Sequence, residues 1–152
     1  MSESQSNIAR LAERLRRAGE TGEATAPIRD DIAAGDVAAA YAIQQANTDH
    51  WLRAGRRLVG RKIGLTAKAV QKQLGVDEPD FGMLFADMAL GDGEEVGLSR
   101  VMQPKVEAEV ALVLARDLTA PDCSVAEVIS AMASTPPAAY RATVTCLTTF
   151  NR

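Results

Sequence analysis

The segment PKVEAEVALVL, Pro104 to Leu114, sets two carboxylates two residues apart inside a run of mostly apolar side chains. Along an extended strand alternate side chains share a face. Val106, Ala108, Val110, Leu112 and Leu114 then line one side, and Lys105, Glu107, Glu109, Ala111 and Val113 the other. The acidic side is charged at one end and apolar at the other, which does not describe a plain solvent face. Two carboxylates held about 7 Å apart repel by about 2 kcal/mol at an effective dielectric of roughly 20, and burial makes each anion costlier. Protonating one acid, pairing both with Lys or Arg, or placing a divalent cation between them would relieve the repulsion. Hard oxygen donors of this kind suit Mg2+, Mn2+ or Ca2+ rather than zinc. The plain alternative is an edge strand whose solvated acids keep other strands away. Spacing alone leaves both readings open.

The rest of the chain restricts what those acids can serve. Its 152 residues are enough for one ordinary domain with a real core, and a 47% hydrophobic share is that of a globular protein. Twenty acidic against 17 basic residues give a net charge of −3 with no dominant basic patch, which speaks against nucleic acid as a partner. Cys123 and Cys146 form no CxxC pair, so neither a disulfide scaffold nor a zinc ribbon is expected, and a reducing cytoplasm fits. No apolar run reaches membrane-spanning length, so no membrane association is expected. The arginine-rich N-terminus contains Glu3 and Glu13, which a transit peptide would lack.

Helical spacing of Ile8, Leu11, Ala12 and Leu15 predicts a first helix with Ser6 as its cap and Gly19 as its stop. A polar link from Glu20 to Pro27 follows. A second helix is predicted from an Asp36 cap to about Ala54, before Gly55, with the lone His50 in its last turn. RLVGRKIGLT (Arg57 to Thr66) reads as a strand ending in a Thr66 cap, AKAVQKQL as a short helix closed by Gly75, and PDFGMLF (Pro79 to Phe85) as a turn entering another strand. Asp92-Gly93 supplies hairpin chemistry before the strand with the two glutamates. Beyond the break RDLTAPDCS, VAEVISAM is a helix capped by Ser124, with Glu127 at the capping-box position. Helices first and strands later indicate an α+β fold rather than a doubly wound sheet. From Val128 to Arg152 there is no Asp, Glu or Lys, and ASTPPAAYRATVTCLTTFNR shows no clear period, with Pro136-Pro137 breaking any helix before it.

Three pieces in order, GRKIGLTAKAVQKQLGVDEPDFGMLF, PKVEAEVALVL and RDL followed by VAEVI, resemble the fumarylacetoacetate hydrolase superfamily, and more narrowly its 2-keto-4-pentenoate (2-hydroxypenta-2,4-dienoate) hydratase branch. PIRD and AAYAIQQANT upstream are similar to the same branch, so the resemblance runs from about Ile8 to Met132. It implies N-terminal helices followed by a mixed β core, incomplete here at the C-terminus, divided as a helical region 1–56, a partial catalytic core 57–132 and an atypical tail 133–152. It implies that Glu107 and Glu109 ligate a divalent metal, Mg2+ or Mn2+, which grips a small 2-oxo or 2-hydroxydienoate acid. It also implies that Lys62 and Asp80 handle protons or position water while water is added. Set against these roles, Lys62 reads as a surface lysine whose stem covers apolar neighbours, and Asp80 as an ordinary turn aspartate. On its strand Lys62 shares a face with Leu58, Gly60 and Gly64, where glycines allow close approach.

The family continues past the VAEVI helix into a segment with a further acidic ligand, where this chain reads ASTPPAAYRATVTCLTTFNR. The expectation is a shifted frame or truncated gene model beyond about Met132, which translation of the coding DNA in the other frames would test. The resemblance further implies a cytoplasmic homo-oligomer that works beside other enzymes of aromatic meta-cleavage, and the short length leaves open whether this chain is active alone. Its rivals are 4-oxalocrotonate decarboxylase of the same family and a non-catalytic assembly partner.

Overall fold

A computed structural model of the chain describes residues 3–91, 93–132 and 140–145, with residues 107, 108 and 140–145 described by their backbone. The fold is α+β, and the described residues fall into two compact units, Met1–Arg100 and Val101–Thr149.

In the first unit, α1 (Glu3–Thr21) and α2 (Val37–Arg53) pack on each other through Leu11, Ala12, Ile28 and Ile43, with Ile8, Leu15, Ile32 and Ala46 around them. Helix α1 overruns both predicted ends. Ser6 lies inside it, and the left-handed residue that stops it is Gly22 (φ 72°) rather than Gly19. One glycine inside a helix costs only about 1 kcal/mol, which the packed face of α1 outweighs. Polar ties reinforce the pair. Arg16 donates to the buried Asn47 at 2.7 Å, and Arg10 and Arg14 reach Asp31 at 3.2 and 2.9 Å. Asp31 ends a short 3-10 turn over Ile28–Asp31 that periodicity did not indicate, and the arginine hydrogen bonds hold its carboxyl below the usual carboxylate range. Helix α2 starts as predicted, with the Asp36 carboxylate accepting from Ala39 N, and ends before Gly55 at φ 86°.

Strand β1 (Leu58–Gly64) and strand β2 (Asp80–Phe85) form an antiparallel pair, joined by α3 (Lys68–Leu74). Between Leu58 and Gly60 the register slips, leaving Val59 as an extra residue on β1. Thr66 does not cap α3: Ala67 occupies that position, while Gly75 closes the helix at φ 71°. At the far end of β2 the buried Phe85 meets Trp51 edge-on at 5.5 Å, and the Arg56 guanidinium lies 4.4 and 4.9 Å from the two ring centres. Arg56 also bonds Asp87 at 2.9 Å and draws its carboxyl below the ordinary range.

The expected Asp92-Gly93 hairpin is not formed as such. Asp92 lies outside the described residues, Gly93 has the left-handed φ of 74°, and no strand flanks it on either side. A hairpin turn needs two runs that pair with each other, and β2 and β3 belong to separate sheets, with the second edge of β2 at Phe81 taken by Tyr41 and Gln44.

In the second unit, β3 (Lys105–Val110) pairs antiparallel with β4 (Tyr140–Thr145), and α4 (Val125–Ala131) carries the Ser124–Glu127 capping box. The strand reading of Pro104–Leu114 therefore ends early, at Val110, with Leu114 kept only as an isolated bridge to Met132. The segment that showed no period supplies β4, because its TVT stretch pairs through backbone groups whatever its side-chain pattern. Pro136-Pro137 and Cys146 lie outside the described residues. No helix among the described residues is long and apolar enough to cross a membrane.

Candidate functional site

Lys62 and Asp80 stand on neighbouring strands, and the register decides how they relate. Lys62 is opposite Gly82 and Asp80 is opposite Gly64. Residues directly opposite in an antiparallel pair point to the same side, as do residues two apart. Lys62, Gly64, Asp80 and Gly82 therefore share one face as a square, with the two charged side chains on one diagonal and the two glycines on the other. Along β1 this face, with Leu58 and Gly60, is half-buried, while Val59, Arg61 and Ile63 are exposed.

Both glycines are occupied from above. A Cβ on Gly64 would collide with Asp80 Oδ1, and one on Gly82 would lie 3.0 Å from Lys62 Cγ and 3.3 Å from Cδ. Each polar side chain thus lies across the bare backbone facing it. What comes close to the glycines of β1 is a neighbouring side chain of the sheet itself. Among the described residues the ion pairs are those of Asp31 and Asp87, so Lys62 and Asp80 do not neutralise each other.

Three residues not singled out by sequence brace this face. Phe81, next to Asp80, has its N–H donated to Tyr41 Oη at 3.1 Å, and its carbonyl accepts from Gln44 Nε2 at 2.9 Å. Helix α2 thereby supplies β2 with the bonds a third strand would give. Gln71 of α3 is nearly fully buried and donates to the Leu65 carbonyl at 2.6 Å. Tyr and Gln at half-buried helix positions carry no pattern that separates a backbone clamp from ordinary packing. For Gln71 one signal existed: a glutamine among mostly exposed neighbours whose amide had to find partners if buried.

In the second unit the Glu107 and Glu109 backbones stand opposite Thr143 and Arg141, two positions apart on β3. Glu109 is exposed, and the Glu107 side chain lies outside the described residues. On the opposite face Val106 and Val110 are 73% and 67% exposed, so the run does not form the buried strand its composition suggested. Among the described residues no group of three or more His, Cys, Asp and Glu is gathered where it could hold a metal. The pair offers two hard oxygen donors, the right chemistry for Mg2+ or Mn2+ but only part of an octahedral shell.

No family model matches the chain. It is 60% identical over 127 residues to the 2-keto-4-pentenoate hydratase of Burkholderia vietnamiensis, a match covering 84% of this chain and 48% of that one. It is 62% identical over 117 residues to 2-keto-4-pentenoate hydratase 1 of Dechloromonas aromatica, covering 77% and 44%. Over the shared length the chain is similar to these 2-keto-4-pentenoate hydratases, in line with the resemblance carried by its motifs. It spans about half the length of the curated hydratases it matches. A match over 84% of the chain necessarily includes its middle, where all four candidate residues lie. The fold also resembles that of 4-oxalocrotonate decarboxylase from Pseudomonas putida G7, with a TM-score of 0.75 and 30% identity over 84% of this chain and 49% of that one. That decarboxylase was solved with magnesium and adipate, and again with calcium and acetate.

Proposed function

We propose that the chain carries the proton-transfer and metal-ligating residues of a hydratase that adds water to 2-hydroxypenta-2,4-dienoate, giving 4-hydroxy-2-oxopentanoate in aromatic meta-cleavage catabolism. The observation that carries this reading is the 60% identity to curated hydratases across the segment holding Lys62, Asp80, Glu107 and Glu109. The same-face placement of Lys62 and Asp80 supports it, since general acid–base chemistry needs two positioned groups that are not already paired with each other. Proton transfer turns the 2-hydroxydienoate into an unsaturated 2-oxo acid, and water then adds at C4. Lys62 and Asp80 hold and move those protons.

Glu107 and Glu109 would hold the divalent cation, with remaining positions for water and the substrate's carboxylate and oxo oxygens. Bound there, Mg2+ or Mn2+ supplies Lewis-acid polarisation of the oxo group. The reading includes a cytoplasmic homo-oligomer, which sedimentation of the purified protein tests.

The deciding experiment incubates the protein with 2-hydroxypenta-2,4-dienoate and, separately, with 4-oxalocrotonate, each with Mg2+ or Mn2+. Loss of the diene absorbance with formation of the 4-hydroxy-2-oxo acid is the expected result. Carbon dioxide release from 4-oxalocrotonate would move the chain to the decarboxylase reading. A Mn2+ titration tests the ligands independently of turnover: affinity should drop in Glu107→Ala/Glu109→Ala. Affinity that the double substitution leaves unchanged removes the metal role and favours a non-catalytic assembly partner.

A further inference from the structure

The Gly64–Asp80 pair is the last rung of the β1–β2 ladder, where strands ordinarily fray, and yet it is the rung that carries a reacting group in the reading above. Immediately after it the chain does something unfavourable. Leu65 takes φ 55°, in the left-handed region that residues with a Cβ seldom adopt. A conformation of this kind persists only when surrounding groups impose it.

The surrounding groups are two side chains of α3. Gln71, 2% exposed, donates from Nε2 to the Leu65 carbonyl at 2.6 Å. Its Oε1 accepts from Lys68 Nζ at 3.0 Å, and the same ammonium donates to the Asp77 carbonyl at 3.3 Å. One linked pair of side chains therefore grips backbone on both sides of the rung. It holds the exit of β1 at Leu65 and the approach to β2 at Asp77, three residues before Asp80. A glutamine that only needed its amide satisfied could have bonded within its own helix. This one instead spans to the strained residue that follows Gly64.

We propose that Gln71, relayed through Lys68, is a positioning residue for Asp80. It forces Leu65 into the left-handed turn and so keeps bare Gly64 backbone beneath the Asp80 carboxylate. The proposal rests on the reading that Asp80 handles a proton in the hydration reaction, and its test separates the two. In the full chain, NMR contacts are followed between Gly64 Hα and the Asp80 methylene, and between Gly82 Hα and the Lys62 stem. The second pair, one rung further in, is the internal control. Gln71→Met keeps the length of the side chain and removes its donor. The first contact should weaken while the second stays. Turnover of 2-hydroxypenta-2,4-dienoate should fall about tenfold in kcat with KM nearly unchanged, as displacement of a reacting group does.

Adding Leu65→Gly to Gln71→Met should restore both the contact and kcat, because glycine adopts the left-handed turn unaided. A purely structural glutamine would not be rescued in this way. Lys68→Met, at an exposed position, removes the Asp77 tether and the bond to Gln71 Oε1 while leaving the Gln71–Leu65 bond, and should show the same selective weakening even if Gln71→Met fails to fold. Both contacts unchanged, both lost together, or no rescue by Leu65→Gly would each overturn the proposal. If the parent chain shows no turnover while the NMR pattern is as expected, the hydratase reading fails and the positioning device stands.

Discussion

A single methyl group is the sharpest probe of the Lys62–Asp80 face. Gly64 and Gly82 both lie in β1 and β2 without positive φ, so alanine suits their backbone, and the lost freedom of the unfolded chain would stabilise by about 0.4–1 kcal/mol. What the new Cβ meets differs between them. At Gly64 it overlaps the Asp80 carboxylate, a mobile side-chain end that swings away at little cost to the fold. At Gly82 it presses on the Lys62 stem at 3.0 Å, which needs to give only a few tenths of an ångström. Gly64→Ala should therefore leave the melting temperature nearly unchanged and lower kcat on the dienoate by about 10–100-fold, with Gly82→Ala clearly milder. Thermal unfolding and steady-state turnover measure both, and equal effects at the two glycines would contradict the diagonal arrangement. At this scale the sequence named Lys62, Asp80 and the flanking glycines. It did not show which side chain covers which glycine, because that depends on register, and register depends on a strand whose residues paired with Lys62 and Gly64 lie about 16 to 20 positions away along the chain.

Secondary-structure elements carry the next set of consequences. Tyr41 and Gln44 of α2 close the free edge of β2 at Phe81, each bond worth about 1 kcal/mol net. Tyr41→Phe should accelerate amide exchange at Phe81 far more than at Met83, read by NMR. Uniform acceleration along β2 would mean that the hydroxyl acts through packing and not through the edge bond. At the other end of the strand, Arg56 sits on Trp51 and Phe85 and bonds Asp87, whose carboxyl is held below the ordinary range chiefly by that hydrogen bond. A carboxylate with a depressed folded pKa adds stability above its unfolded pKa, and that stability is lost as pH falls through the folded value. Stability should therefore decline on acidification below about pH 4, and Asp87→Asn should be less stable than the parent at pH 7 and converge with it in acid. The effect is small, because Asp87 is well exposed and solvent screens it. The helix caps at Asp36, Gly75 and Ser124 were readable because capping is local chemistry, within three or four residues. The ends of α1 were not, since packing against α2 extended the helix past Gly19.

Over the whole molecule, stability is unevenly distributed. Of the buried apolar residues described, Leu11, Ala12, Ala18, Ile28, Ile43 and Phe85 lie in Met1–Arg100, and only Ala131 lies in the second unit. There β3 has one strand partner and exposes Val106 and Val110. A two-stranded sheet without an apolar cover is marginal in water. Amides of α1 and α2 should be the slowest to exchange with solvent, and those of Lys105–Val110 should exchange near the rate of local opening. Protection of β3 equal to that of α2 would show that something covers the valine face in solution. Ile43→Ala should cost about 2–5 kcal/mol, while Val110→Ala should cost less than about 0.5 kcal/mol.

Taken alone, the amino-acid sequence determined the order of the helices and of the first three strands, the α+β class, most helix caps and the resemblance to the hydratases. These rest on local spacing or on runs of residue types that survive without a partner. Tertiary structure alone decided that Lys62 and Asp80 share a face over each other's glycines, that α2 and α3 clamp the strands bearing them, and that the Glu107–Glu109 strand stops at Val110. Each of those depends on which distant backbone satisfies an N–H or a carbonyl, and no short window of side chains encodes that choice.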